Sequence, residues 1–185
     1  MRRFYSVLFI LSFVIITYSC KEWGLSCCLT EFMNKTIVVP DSFHVIQNGK
    51  VYQYKKNELQ LPTLIVYVDE NSCNTCKINN LDDYKPIFEL AVVNQTFNLM
   101  IIFSPNVKNY NIIKRELMMS HFEYPIYLDQ SQDFKKLNAC NIPLDRGINS
   151  FLIDKECRPI YVGDPVKSGR LKNLFLQILD TLNNY

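Results

Sequence analysis

Five consecutive residues, Leu64-Ile65-Val66-Tyr67-Val68, form an apolar run dominated by β-branched side chains. A strand with water on one face alternates apolar and polar residues, so a run without alternation reads as a strand covered on both faces, as in the centre of a layered α/β domain. Similar runs follow at Leu99 to Phe103, Pro125 to Leu128, Phe151 to Ile153 and Ile160 to Val162. Helical spacing occupies the gaps between the first three. Asn74 to Leu90 puts Ile78, Leu81 and Phe88 on one face, and Asn109 to His121 does the same with Tyr110, Ile113, Leu117 and Met118. Only Asp154 to Arg158 separates the last two runs, too short for a parallel crossover, so they are expected to pair as an antiparallel hairpin. A final helix is expected, with Asp164 and Pro165 as start signals and Leu171, Leu174, Phe175, Ile178, Leu179 and Leu182 as its apolar stripe. Upstream, Val45 to Tyr54 reads as a hairpin, because Asn48-Gly49 tolerates the positive φ angles of a type I′ turn. The pattern βαβαβ, hairpin, helix predicts an α/β fold with a mixed central sheet flanked by helices.

With 48% hydrophobic and 21% charged residues in a chain of 185, disorder and repeat polymers are excluded and one domain is expected. Lys plus Arg is 20 against 18 for Asp plus Glu, and Arg2 and Arg3 account for the whole excess. Without a basic surface to release counterions from phosphate, no nucleic acid is expected as a partner. Five glycines form neither common phosphate-binding loop, which argues against nucleotide chemistry.

Arg2 and Arg3 precede an apolar run from Phe4 to Thr17, followed by Tyr18, Ser19 and Cys20, the order of an export signal. A spanning helix wants about 20 apolar residues and this run ends sooner, so cleavage is expected in place of a transmembrane anchor. Ser19-Cys20 resembles the lipobox of bacterial lipoproteins, although Thr17 stands where such signals most often carry leucine. The expected organisation is a lipoprotein-type signal peptide over 1–19, a tether over 20–35 without clear periodicity, and a domain over 36–185. Lipid on Cys20 would anchor the protein to a bacterial membrane at the cell envelope, facing the periplasm or the exterior. Seven cysteines suit such an oxidising compartment, and six remain beyond Cys20.

The chemistry concentrates in Cys73-Asn74-Thr75-Cys76, a C-x-x-C between the first core strand and the first helix. Two intervening residues let the sulfurs meet on one turn, and a helix N-terminus stabilises a thiolate through its unpaired N–H groups. Cys73 is expected to be the exposed attacking sulfur and Cys76, one turn in and more buried, the resolving one. Lys77 adds positive potential or is simply a solvated helix residue. A structural zinc would need four ligands, and Cys27-Cys28 and the two histidines, His44 and His121, do not supply a second spaced pair. No cofactor or metal is expected. An inert structural disulfide is the competing account of the pair.

These residues resemble thioredoxin-like thiol-disulfide oxidoreductases, specifically the membrane-tethered extracytoplasmic group that includes the TlpA-like proteins. The resemblance spans roughly Leu61 to Leu182. It rests on the strand before Cys73 and Cys76, on Tyr124-Pro-Ile-Tyr-Leu-Asp129, on Ser150-Phe-Leu-Ile-Asp154 and on Tyr161-Val-Gly-Asp-Pro165. It implies a thioredoxin-like fold with Cys73 and Cys76 exchanging disulfides with cysteine-containing extracytoplasmic proteins or a membrane redox partner. The alternatives are a non-catalytic thioredoxin-fold lipoprotein that binds or supports, and a metal carrier. The chain departs from the family pattern in three places. Ser72 stands where tryptophan is usual, and Ile148 where a cis-proline is usual, with Pro143 too far upstream to replace it. Pro86 comes late for the proline that kinks the first helix. Cys140 and Cys157 are expected to be ordinary thiols away from the active-site edge.

Overall fold

The computed structural model describes residues 27–41, 43–54 and 60–183. The proposed signal, Cys20 and residues 21–26 lie outside that range. Helix α1 runs over 27–33. It is followed by β1 (His44–Gln47), β2 (Lys50–Gln53), β3 (Thr63–Val68), α2 (Asn74–Asn79), α3 (Lys85–Asn94) and β4 (Asn98–Phe103). Then come α4 (Tyr110–Met119), β5 (Ile126–Leu128), α5 (Asp133–Leu137), β6 (Ser150–Ile153), β7 (Pro159–Val162) and α6 (Gly169–Asn183).

Among the described residues seven strands form one sheet in the order β2-β1-β5-β4-β3-β6-β7. Strands β3, β4 and β5 are parallel, while the β1–β2 and β6–β7 hairpins add antiparallel edges. This is the thioredoxin-like mixed sheet that the sequence led us to expect, widened by the first hairpin. That hairpin turns at Asn48 and Gly49, with φ of 50° and 71°. All six residues of β3 are buried, as a run without alternation requires.

The side chains of β3 divide the core. Leu64, Val66 and Val68 pack with α2, α3, α4 and α6 on one face, and Ile65 and Tyr67 pack with Phe134 and Ile148 on the other. Right-handed crossovers through α2–α3 and α4, stepping the same way across the sheet, put both on one face. The second face therefore needs cover from elsewhere. Phe32 of α1, Ile37, Val39 and Phe43 provide it, and Phe32, 1% exposed, sits edge-on to Phe151 with ring centroids 5.1 Å apart. Residues 27–35, expected as tether, are thus helical or turning and pack on the domain.

Three other expectations change. The first crossover is not one helix over 74–90. A 3₁₀ turn at Leu81–Tyr84 separates α2 from α3, with Pro86 in the first turn of α3. Proline lacks the N–H that a continuous helix would need there, and its ring would clash with the carbonyl four residues back. The last helix begins at Gly169, so Asp164-Pro165 is not its start: Lys167 N–H bonds back to Asp164 O at 3.1 Å in a turn. Leu174, assigned to the stripe, is exposed, and Phe175 and Leu179 carry the burial of α6.

Candidate active site

Strand β3 ends at Val68, and the loop behind it is tied down before it reaches the cysteines. Asp69 Oδ1 accepts from Ser72 Oγ at 2.6 Å and from Asn71 N–H at 3.2 Å. Glu70 is held to α5 by Lys135 Nζ at 2.7 Å and by the Gln132 amide. Those hydrogen bonds, from Lys135 first and Gln132 second, keep the Glu70 carboxyl below the usual carboxylate range. The fixed loop delivers Cys73 as the N-cap of α2, where Cys76 N–H donates to Cys73 Sγ at 3.3 Å. A donor already aimed at that sulfur favours a thiolate on it when the pair is reduced. Here Cys73 and Cys76 are joined in a disulfide, with Cα atoms 5.2 Å apart. Both residues are exposed, so the expectation of a more buried Cys76 is corrected. Helix α2 lies over the rim of the sheet and presents both positions to solvent, whereas Asn74 between them is buried.

The disulfide opens onto a cleft of about 470 Å³ whose walls include Lys77, Tyr84, Asp164, Val166 and Lys167. Tyr84 OH donates to Asp164 Oδ2 at 2.6 Å and accepts from Lys77 Nζ at 2.8 Å, and Lys77 Nζ lies 3.5 Å from Asp164 Oδ2. Asp164 is 3% exposed, so its carboxylate trades hydration for these two partners and for the Val166 N–H, which donates to Oδ1 at 3.2 Å. Burial, and then the Asp164 charge, push the Tyr84 phenol far above its ordinary range, which keeps it protonated and donating. Lys77, itself half-buried, is therefore the cation of an ion pair to a buried carboxylate lining the cleft, more than a solvated residue.

Strand direction brings Asp164 there. Strand β6 runs antiparallel to β3 and β7 antiparallel to β6, so β7 and β3 end at the same sheet edge. Gly163 then turns the chain at φ 141°, and a Cβ on it would meet Leu171 Cδ2 at 2.8 Å. Sequence alone does not mark Asp164 and Tyr84 as site residues, because Asp164-Pro165 reads as a helix start and a tyrosine spaced with Leu81 and Phe88 reads as core. The signal available was the parity of strand directions, which places the residue after β7 beside the residue after β3.

The other singled-out residues do not line this cleft. Ile148 stands at the cysteine edge, is 6% exposed and packs into the second apolar layer; among the described residues no peptide bond is cis. His44 Nδ1 is 2.6 Å from Tyr110 OH, and His121 is exposed at the end of α4. Among the described residues no group of three His, Cys, Asp or Glu side chains is placed to hold a metal. Asp129, buried at the end of β5, has its oxygens occupied by Ser104 Oγ and the N–H groups of Asp133 and Phe134, so it caps α5. Cys140 is exposed beyond α5, and Cys157 is half-buried in the β6–β7 turn.

No protein-family model matches the chain, and neither does any curated protein. Among solved structures, an uncharacterized thioredoxin-like protein from Porphyromonas gingivalis aligns with 21% identity and a TM-score of 0.49, over 80% of this chain and 94% of its own. The pneumococcal exposed lipoprotein thioredoxin of Streptococcus pneumoniae aligns with 16% identity and a TM-score of 0.49, over 76% and 98%. The mitochondrial 2-Cys peroxiredoxin of Plasmodium falciparum gives 18% and 0.49, over 80% and 92%. No helix among the described residues is long and apolar enough to cross a membrane. A closed, exposed C-x-x-C at a helix start, beside a cleft holding a half-buried cation and a buried carboxylate, is chemically equipped for thiol-disulfide exchange.

Proposed function

We propose that the protein exchanges disulfides with cysteine-containing extracytoplasmic proteins, or with a membrane redox partner, through Cys73 and Cys76. The observation that carries this is the exposed Cys73–Cys76 disulfide with Cys76 N–H aimed at Cys73 Sγ. In the reduced form the Cys73 thiolate attacks one sulfur of a substrate disulfide and expels the other as a thiolate. Cys76 then attacks Cys73 Sγ, releases the second substrate thiolate and closes the bond seen here. Two electrons pass to the substrate, and the reverse sequence oxidises a substrate dithiol. With Ile148 buried in place of a proline, a dedicated partner is preferred over general protein disulfides. Lipid on Cys20 would hold this chemistry at a bacterial membrane, facing the periplasm or the exterior.

A Cys76→Ala variant is expected to accumulate mixed disulfides on Cys73, and in the reduced protein Cys73 is expected to alkylate first at neutral pH. Faster alkylation of Cys76 reverses the roles. Absence of exchange with any dithiol or disulfide favours the non-catalytic binding alternative. Cys20→Ala is expected to release the protein from membranes or leave it unprocessed; normal processing with unchanged membrane partition defeats the anchor.

A further inference from the structure

The face of the sheet opposite α2 carries cysteines that disulfide exchange at Cys73 and Cys76 does not use: Cys157 packs against its apolar layer from the β6–β7 turn, and Cys28 and Cys140 share a cleft. Cys28 and Phe32 are four residues apart on α1 and share one side of it. Phe32 is seated in the core, which fixes that side toward the segment after α5. Cys28, Glu31, Phe32 and Lys35 form one wall of a small cleft of about 140 Å³, and Ala139, Cys140, Asn141, Ile142 and Pro143 form the opposite wall. The two walls are held together next to the cysteines. Asn138 Oδ1 accepts from Val38 N–H at 2.8 Å, Asn138 Nδ2 donates to Val38 O at 2.8 Å, and Asn141 Nδ2 donates to Thr36 O at 2.9 Å. Cys28 is half-buried, Cys140 is exposed, and both are thiols in this structure. Cys27, adjacent on α1 and exposed, does not line the cleft.

We propose that Cys28 and Cys140 form a second disulfide, which staples the N-terminal helix to the segment following α5. The oxidant is a disulfide, either low-molecular-weight or protein-borne. The Cys28 thiolate attacks it and displaces one thiolate, Cys140 then attacks the Cys28 sulfur and displaces the second, and the two cysteines lose two protons and two electrons while the oxidant becomes two thiols. Bridging a loop of more than a hundred residues restricts the unfolded chain strongly. The bond fastens α1, whose burial depends on one large side chain, to the domain. This staple does not depend on turnover at Cys73 and Cys76.

The test uses the full chain with Cys73→Ser and Cys76→Ser, equilibrated with oxidised glutathione and digested without reduction. The expected result is a Cys28–Cys140 cross-linked peptide, and a melting temperature about 5–10 °C higher in oxidant than in reductant. The difference is expected to vanish in Cys140→Ser. Pairing of Cys28 with any other cysteine, a Cys27–Cys140 link, or persistence of alkylatable Cys28 and Cys140 in oxidant would each overturn the proposal. Exchange activity of the unmodified protein is read separately, so loss of that activity leaves the cross-link map unaffected.

Discussion

Replacing Asp164 by Asn removes one negative charge from the wall of the cysteine cleft with almost no change of shape. The amide oxygen still accepts from Tyr84, so the fold keeps that hydrogen bond, and the main loss is electrostatic. Two unit charges separated by the width of such a cleft, on the order of 8 Å, interact by about 2 kcal/mol at an effective dielectric near 20. Asp164 is buried but both cysteines are exposed, so salt and water reduce this to about 1 kcal/mol. The reduced protein carries the thiolate, which the carboxylate opposes, and removing Asp164 also frees the Lys77 charge 3.5 Å away. Both effects favour the reduced form. The reduction potential is therefore expected to rise by about 20 mV, since 30 mV corresponds to about 1.4 kcal/mol for two electrons. Lys77→Met is expected to lower it, because the cation is lost while the carboxylate stays. Equilibration in dithiol–disulfide buffers, followed by alkylation and mass measurement, reads both variants. A fall for Asp164→Asn, or shifts of the same sign in both, refutes this account of the cleft.

Tyr84→Phe keeps the ring but leaves Asp164 without the donor at 2.6 Å, and is expected to cost about 1.5–3 kcal/mol in urea unfolding with an unchanged slope; an unaltered midpoint would show that the hydroxyl contributes nothing. Phe32→Ala, at a site 1% exposed, is expected to cost about 3–5 kcal/mol, whereas a side chain in a loose tether would cost almost nothing on the same measurement. Burial pushes Tyr67, Tyr127 and Tyr161 each up to about 12. The unfolded chain releases these protons from about pH 10 upward while the folded one retains them, so stability is complete below pH 10 and falls as pH rises through 12. Tyrosinate absorbance is expected to show these rings ionising only with unfolding, and a gradual titration of every tyrosine near pH 10 in folded protein contradicts the burial.

Most of the sheet was legible because its strands are dense apolar runs. Pairing, too, was written locally: Asn48-Gly49 sets the first turn, and five residues between β6 and β7 leave only a hairpin. Parts that depend on distant partners were not legible. Phe32 lies in a segment with no period, and nothing local marks it as core; it is needed because both crossovers fill one face and leave the other uncovered. The break between α2 and α3 could have been placed at Pro86, but apolar spacing at Ile78, Leu81 and Phe88 continues across it, since a 3₁₀ turn shifts the face only slightly.

The candidate site divides along the same line. Cys73 and Cys76 announce themselves because spacing and position after a buried strand are local properties, and the structure joins them as that spacing allows. Their relative burial depends on how α2 lies against its neighbours, and here both cysteines are exposed. Asp164 is invisible for a further reason. In sequence it is 88 residues from Cys76 and looks like a helix start, and it reaches the cleft because two antiparallel pairings return β7 to the direction of β3. Gly163, at a φ of 141° that strains any other residue, then turns the chain inward. In the proposed exchange the spaced cysteines are the reacting pair, and this folded-in carboxylate with its Tyr84 and Lys77 partners is expected to adjust the potential. A change at Gly163 that displaces Asp164 is therefore expected to act on the cysteines without touching them.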